Sequence, residues 1–256
     1  GKLMLEVLGV WSKIKIIPTP INKILVAQGS SQSRLEERHR KDFVLGWHSP
    51  DCPIAYVVDN LALFEALFEI LDSRTVKVLQ PAKVNGMKIV NGKARLTGNC
   101  PSMPDFDLVI ACDGAQSKMS EFIKMRKFIS NHRQTAVVCM LSLEHDHDNT
   151  AFQRFLAGGP IALMPSGKKM ASLVWTMSKV NAEKVLSATN EEFDKACNSA
   201  FGSPLGLMSI ASNRLGWQLQ PTWMPKLGAD HLLFAGDAAH QLHPLAGQGY
   251  NLALAD

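Results

Sequence analysis

One stretch near the end of this 256-residue chain restricts its fold more than any other: Phe234-Ala-Gly236-Asp237-Ala-Ala-His240-Gln-Leu-His243-Pro244-Leu-Ala-Gly247-Gln248-Gly249-Tyr250-Asn251-Leu252. The apolar run that leads into it, residues 231–235, suits a buried strand. Such a strand delivers a Gly-Asp turn. The glycine lets the backbone approach a ligand closely, and the aspartate can accept hydrogen bonds from a sugar or bound water. After a short loop, Gly247-Gln248-Gly249 opens a helix. Free N–H groups there, with the positive end of the helix dipole, favour an anion or a developing negative charge. A dinucleotide carries such charge on its pyrophosphate, and a reduced flavin carries it at its N1/O2 edge.

The rest of the chain reads as mixed α/β. Residues 3–10 look like the tail of a helix stopped near Gly9. Residues 21–27 read as a strand introduced by Pro18 and Pro20, 28–42 as a loop or hairpin tip, and 43–47 as the returning strand. Asp59 or Asn60 caps a helix with an apolar stripe of Phe64, Leu67, Phe68 and Leu71. A short strand is expected at 76–79, then two or three more between 82 and 97, with Asn85-Gly86 and Asn91-Gly92 as turns. Residues 108–111 suit a strand buried on both faces, ending at Asp113-Gly114. Residues 135–143 and 160–175 read as β structure with a turn near Ser166-Gly167, and 190–200 as an amphipathic helix. The chain stops at Asp256, about nine residues into its last helix, where an acidic residue opposes the helix dipole. The expectation is a sequence cut inside a helix.

Composition narrows the classes. Hydrophobic residues make up 46% and charged residues 20%, the balance of an ordinary soluble globular protein. The net charge of +4 is spread without a dense basic block, which suits a solvated surface or a weak pull on an anionic cofactor, nucleic acid or membrane. Five cysteines stand far apart with no C-x-x-C pair, against a disulfide scaffold or zinc ribbon and for reduced thiols. No apolar run reaches the length of a membrane span, and no signal-peptide pattern follows Gly1. Asp237, His240 and His243 have a spacing that a metal could use, as does Glu144-His145-Asp146-His147-Asp148. A solvated loop is the plainer reading of the second, and a surface role that of Arg154.

The pattern G-D-A-A-H-x-x-H-P-x-A-G-Q-G-x-N-L resembles the GD motif of the FAD-dependent aromatic hydroxylases. It is most similar to the branch, of UbiH/VisC type, that hydroxylates the ubiquinone precursor ring. Asp107-Leu-Val-Ile-Ala-Cys-Asp113-Gly114-Ala-Gln-Ser117 resembles the family's DG motif, and 152–165 with 172–175 resembles a strand pair of its substrate domain. The resemblance implies that Asp237 contacts the ribityl and pyrophosphate region of FAD and that Pro244 borders the isoalloxazine. It implies that Gly247, Gln248, Gly249 and Asn251 face the flavin and its phosphates. Gly236 shapes the turn, and Asp113 and Gly114 lie near both FAD and the nicotinamide donor. Leu163, Met164, Pro165 and Trp175 are expected to line the substrate cavity, with core packing as the alternative. No catalytic base is assigned.

Three departures stand out. Met119-Ser120 replaces the Arg that usually ends the DG motif, Cys112 replaces a small Ala, and no G-x-G-x-x-G occurs anywhere. In this fold that glycine motif opens the chain, in a βαβ unit that holds the ADP half of FAD. The implied architecture is therefore an incomplete glutathione-reductase-type FAD-binding fold with an inserted mixed β-sheet substrate domain. The FAD-binding pieces would be 1–12, 53–118 and 226–256, and the substrate pieces 13–52 and 119–225. The implied reaction is ring hydroxylation of a prenylated phenol or quinone precursor by O2, with FAD as cofactor and NAD(P)H as donor. Implied surroundings are the cytoplasm, the periphery of the inner membrane or the mitochondrial matrix side, beside other ubiquinone-biosynthesis enzymes and without nucleic acid. Two other readings stay open: a non-catalytic relative acting as an interaction module, and a metal-dependent protein using Asp237, His240 and His243.

Overall fold

A computed structural model describes residues 1–29, 43–49, 51–71, 75–99, 103–131, 133–202, 204–243 and 247–256. Its largest element is an eight-stranded mixed sheet. The strands Met208–Ile210, Gln134–Leu143, Met170–Ser178, Gly159–Pro165, Thr150–Leu156, Lys23–Gln28 and Phe43–His48 follow one another in that order, and Leu215–Leu219 also pairs with Gln134–Leu143. All neighbours are antiparallel except Thr150–Leu156 with Lys23–Gln28. The turn at Ser166-Gly167 falls where the sequence places it, and Gly167 supplies the positive φ of 73° that a tight turn needs.

Side chains alternate across this sheet, so cross-strand partners share a face. On one face Val137, Cys139 and Leu141 oppose Trp175, Leu173 and Ala171, which oppose Ile161, Leu163 and Pro165. Phe152 joins this row opposite Leu163. Helices Lys179–Ser187 and Asn190–Phe201 cover the row, and Phe193, Cys197 and Phe201 are fully buried in it. Thr189 and Glu192 form a reciprocal capping box at the start of the second helix. Arg214 donates to the carbonyls of Val185 and Ala188 at 2.9 and 2.6 Å, closing the end of the first, and lies over the Phe193 ring. The opposite face carries Gln134, Ala136, Val138, Met140, Ser172, Val174, Ala162, Met164, Ala151, Gln153, Ile24 and Val26, mostly half-buried.

A second core forms around two parallel strands, Val109–Ala111 and Leu232–Phe234, flanked by Gly228–Ala229 and a hairpin of Val84–Val90 with Lys93–Gly98. A third joins helix Lys2–Val7, the single turn Trp11–Lys13 and helix Asn60–Glu69. No described helix is long and apolar enough to cross a membrane.

Several expectations need correction. Residues 76–79 form no strand, and Val76 and Val78 are exposed without a pairing neighbour among the described residues. Asn85-Gly86 lies within a strand at a register shift rather than in a turn, whereas Asn91-Gly92 is the turn, with φ of 51° and 70°. Asp59 caps its helix through Ala62 N–H, yet that helix buries Ala62, Leu63 and Ala66. Phe64 and Phe68 instead stack on each other at the surface. Small residues let the helix approach Val10 and Leu5 closely, and its apolar circumference hid that choice from periodicity. The strand expected at 21–27 is split at Asn22. The two parallel strands are buried on one face only, with Ile110 57% and Leu233 43% exposed. Arg154 is buried, not a surface residue. The loop expected at 28–42 lies almost wholly outside the described residues.

Candidate cofactor site

The pairing of Val109, Ile110 and Ala111 with Leu232, Leu233 and Phe234 brings the two glycine–aspartate motifs side by side. Ala235 N–H extends the ladder by donating to Ala111 O at 3.0 Å. Both motif turns therefore leave the carboxyl ends of neighbouring parallel strands, where open α/β sheets present their ligands. Gly236 begins a one-turn helix, Gly236–Ala238, with φ of 60°, and Gly114 turns with φ of 83°. Gly247, at φ of 62°, caps helix Gln248–Ala255. Side chains other than hydrogen are strained at all three.

These turns enclose an open cavity of about 650 Å³, within the usual range for small-molecule sites. Its walls are Cys112, Gly114, Ala235, Gly236, Asp237, Gln241, Leu242, His243, Gly247, Gly249, Tyr250 and Ala253. Among the described residues, a Cβ added at Gly114, Gly247 or Gly249 would meet no atom within 4 Å beyond its own chain neighbours and helix backbone. Bare backbone thus faces unfilled space on three sides, which lets a flat ring system or a phosphate lie against it. No described residue hydrogen-bonds the Asp237 carboxylate, so its acceptors remain open to hydroxyls. Tyr250 is a half-exposed phenol on the same wall, and burial pushes its pKa up, keeping it a neutral donor.

The cavity gathers Gly114, Gly236, Asp237, Gly247 and Gly249 from the residues the sequence singles out. Asp113, Gln248 and Asn251 stand beside it rather than in its wall. The Asn251 amide is turned towards Gly1, where a Cβ would come within 2.7 Å of its Oδ1. Pro244 lies outside the described residues. Leu163 lies in the helix-covered core, Pro165 is buried on the same sheet face and Trp175 packs against that core; none of the three is in the wall of this cofactor cavity. Cys112, Gln241, Leu242, Tyr250 and Ala253 were not singled out as contacts. The i, i+1, i+4 spacing of Gly249, Tyr250 and Ala253 on one helix face was the available signal.

Electrostatics sort the remaining groups. Gly236 N–H donates to Asp256 Oδ2 at 2.6 Å, and His240 Nε2 donates to Asp256 Oδ1 at 2.9 Å. Burial pushes the Asp256 carboxyl up, but these two donors and the His240 charge hold it below the usual range. His243 Nε2 donates to Gln134 Oε1 at 3.3 Å, joining the cavity to the open face of the large sheet. Both histidines of the spacing that suggested a metal are thus committed elsewhere. Among the described residues no three His, Cys, Asp or Glu side chains are grouped to hold a metal ion. In the Glu144–Asp148 segment, Asn149 N–H donates to His147 Nδ1 at 3.1 Å, so Nε2 carries the proton it gives to Gly167 O. His147 is a buried tie between two loops, not a solvated side chain. Glu144 accepts from Leu207 N–H at 2.7 Å.

Comparison with known proteins bears on this geometry directly. A family model described as an FAD binding domain matches residues 104–256, more than half of the chain and both motif turns. The chain belongs to this FAD-binding family. Among curated relatives, ubiquinone hydroxylase UbiL of Rhodospirillum rubrum is 27% identical over 99% of the chain and 57% of its own length. The human mitochondrial ubiquinone biosynthesis monooxygenase COQ6 is 31% identical over 79% of the chain and 53% of its length. The chain thus spans little more than half the length of these relatives. Among solved structures, PqsL of P. aeruginosa, crystallised with 2-aminobenzoylacetate, superposes with a TM-score of 0.76 at 17% identity. That likeness covers 98% of this chain and 70% of that one and establishes the shared fold. The mixed α/β fold and FAD as cofactor agree with the sequence reading.

Proposed function

We propose that this chain holds the flavin and the aromatic substrate in an FAD- and NAD(P)H-dependent monooxygenase that hydroxylates a prenylated ubiquinone precursor. The observation that carries the reading is the meeting of the Asp113-Gly114 and Gly236-Asp237 turns at one sheet end, before a glycine-walled cavity. The names of the relatives give the substrate class. When bound, a flavin reduced by the nicotinamide donor supplies activation of O2 and transfer of one oxygen atom to an electron-rich ring.

The chain's own residues place and shield that chemistry. Asp237 would accept from ribityl hydroxyls. The amides of Gly247, Gln248 and Gly249 would meet negative charge on phosphate or on the reduced ring, at the positive end of their helix. Gly114 would complete the surround, with Asp113 and Asn251 next to it. The apolar open face of the large sheet forms the substrate wall through Val138, Met140, Val174, Met164 and Ala162. It excludes water and accepts a prenylated ring. Leu163, Pro165 and Trp175 support that wall from behind. The units would be 1–12, 53–118 and 226–256 for the flavin, and 13–52 with 119–225 for the substrate. A prenylated substrate places the enzyme against a membrane surface, in the cytoplasm or on the matrix side, near the enzymes that precede and follow it.

Titration of the purified chain with FAD tests the reading. Quenching of flavin fluorescence and a shifted visible spectrum are expected, both weakened at least tenfold by Asp237→Ala. NADH oxidation should accelerate when a prenylated phenol is added. A chain that leaves the FAD spectrum unchanged at every concentration would instead favour the non-catalytic interaction module.

A further inference from the structure

We infer that Asp256 is a positioning residue: it clamps both ends of the 236–240 turn and so fixes Asp237 towards the cofactor. The inference rests on the flavin reading of the cavity. Two donors meet the Asp256 carboxylate. Oδ2 takes the Gly236 amide and Oδ1 takes the His240 imidazole, while the Asp256 side chain is only 12% exposed. The clamped residues bracket the one-turn helix Gly236–Ala238 and Ala239, whose N–H closes onto Gly236 O at 2.9 Å. Ala253 packs one turn earlier on the same helix, 3.4 Å from where a Gly236 Cβ would stand.

The two aspartates therefore have separate tasks. Asp237 keeps its acceptors open and meets the cofactor itself. Asp256 spends both oxygens inside the protein and never touches the flavin. It also occupies the Gly236 amide, so that N–H is no phosphate donor, and the nearby carboxylate repels an anion from that end. Phosphate is left to the amides at Gly247–Gly249, and the neutral polyol to Asp237.

Asp256→Asn, His240→Gln and the double variant test this. In the flavin-free wild-type chain the Gly236 amide proton, read by ¹H–¹⁵N NMR, should lie downfield and shift as pH falls through a midpoint below the usual carboxylate range. That titration should vanish in Asp256→Asn. FAD should bind roughly tenfold more weakly to Asp256→Asn, the size expected for losing a charge-assisted hydrogen bond. His240→Gln added to it should cost little more, because the pair acts as one unit. Should Asp256→Asn fail to fold, Asp256→Glu replaces it. That variant keeps the charge, lengthens the reach and should still weaken FAD binding. A Gly236 amide that ignores Asp256, or a variant that binds FAD within twofold of wild type, overturns the inference. A wild-type chain that shows the amide titration but never binds FAD sinks the flavin reading and, with it, the positioning role, leaving only a structural bond.

Discussion

At the scale of single residues, the glycines of the cavity differ from those of ordinary turns. Gly249 has helical rather than left-handed backbone geometry, and a Cβ there meets nothing. Gly249→Val should leave the melting temperature of the flavin-free chain nearly unchanged while cutting FAD affinity at least tenfold, since the new side chain fills ligand space alone. Equal losses of both quantities would argue that the space serves packing instead. The cysteines give a second residue-level contrast. Cys112 is exposed on the cavity wall, so bound FAD should slow its alkylation by iodoacetamide. Burial pushes Cys139 up to about 11 and Cys197 up to about 12, from an ordinary 9.0. A pKa raised by folding contributes stability that is complete below pH 9 and declines as pH climbs towards those folded values. Urea midpoints measured between pH 8 and 11 should fall, and fall less steeply in a Cys139→Ala, Cys197→Ala variant.

At the scale of elements, the sequence was legible where one period dominated and one face was buried. Strands Gln134–Leu143, Gly159–Pro165 and Met170–Ser178 and helix Asn190–Phe201 lie where alternation and amphipathicity place them. Helix Lys179–Ser187 is short and carries only the narrow stripe of Ala182, Val185 and Leu186, of which Ala182 alone is fully buried. The helix after Asp59 was found, but its nearly continuous apolar surface concealed which side faces inward. The same limit left the candidate substrate wall undivided between the two sheet faces. Leu163 and Met164 are adjacent and equally apolar, and only strand register shows that they point to opposite faces. Leu163→Ala should thus destabilise the chain by about 2–5 kcal/mol and leave FAD affinity unchanged in the folded fraction. Guanidinium unfolding and flavin titration on one preparation separate the two quantities.

At the scale of the whole molecule, the Gly236-to-Gly249 stretch points to an anionic cofactor from its residue chemistry, whereas Asp113-Gly114 reads as a cofactor contact only through the family resemblance. Their meeting at one sheet end is a tertiary fact that no local pattern carries. The 256 residues contain the Gly236–Gly249 site but no G-x-G-x-x-G, the feature that grips the adenylate of FAD. This chain should therefore bind FMN within roughly tenfold of FAD, measured by competition, whereas a preference above a hundredfold would reveal adenylate contacts elsewhere in the chain. The large sheet has a further consequence. Neighbouring positions along each strand point to opposite sides, one rank locked beneath the helices and the other mostly half-buried on the uncovered face. Substitution at every second residue can therefore reshape the uncovered face, while the alternate residues keep the scaffold standing.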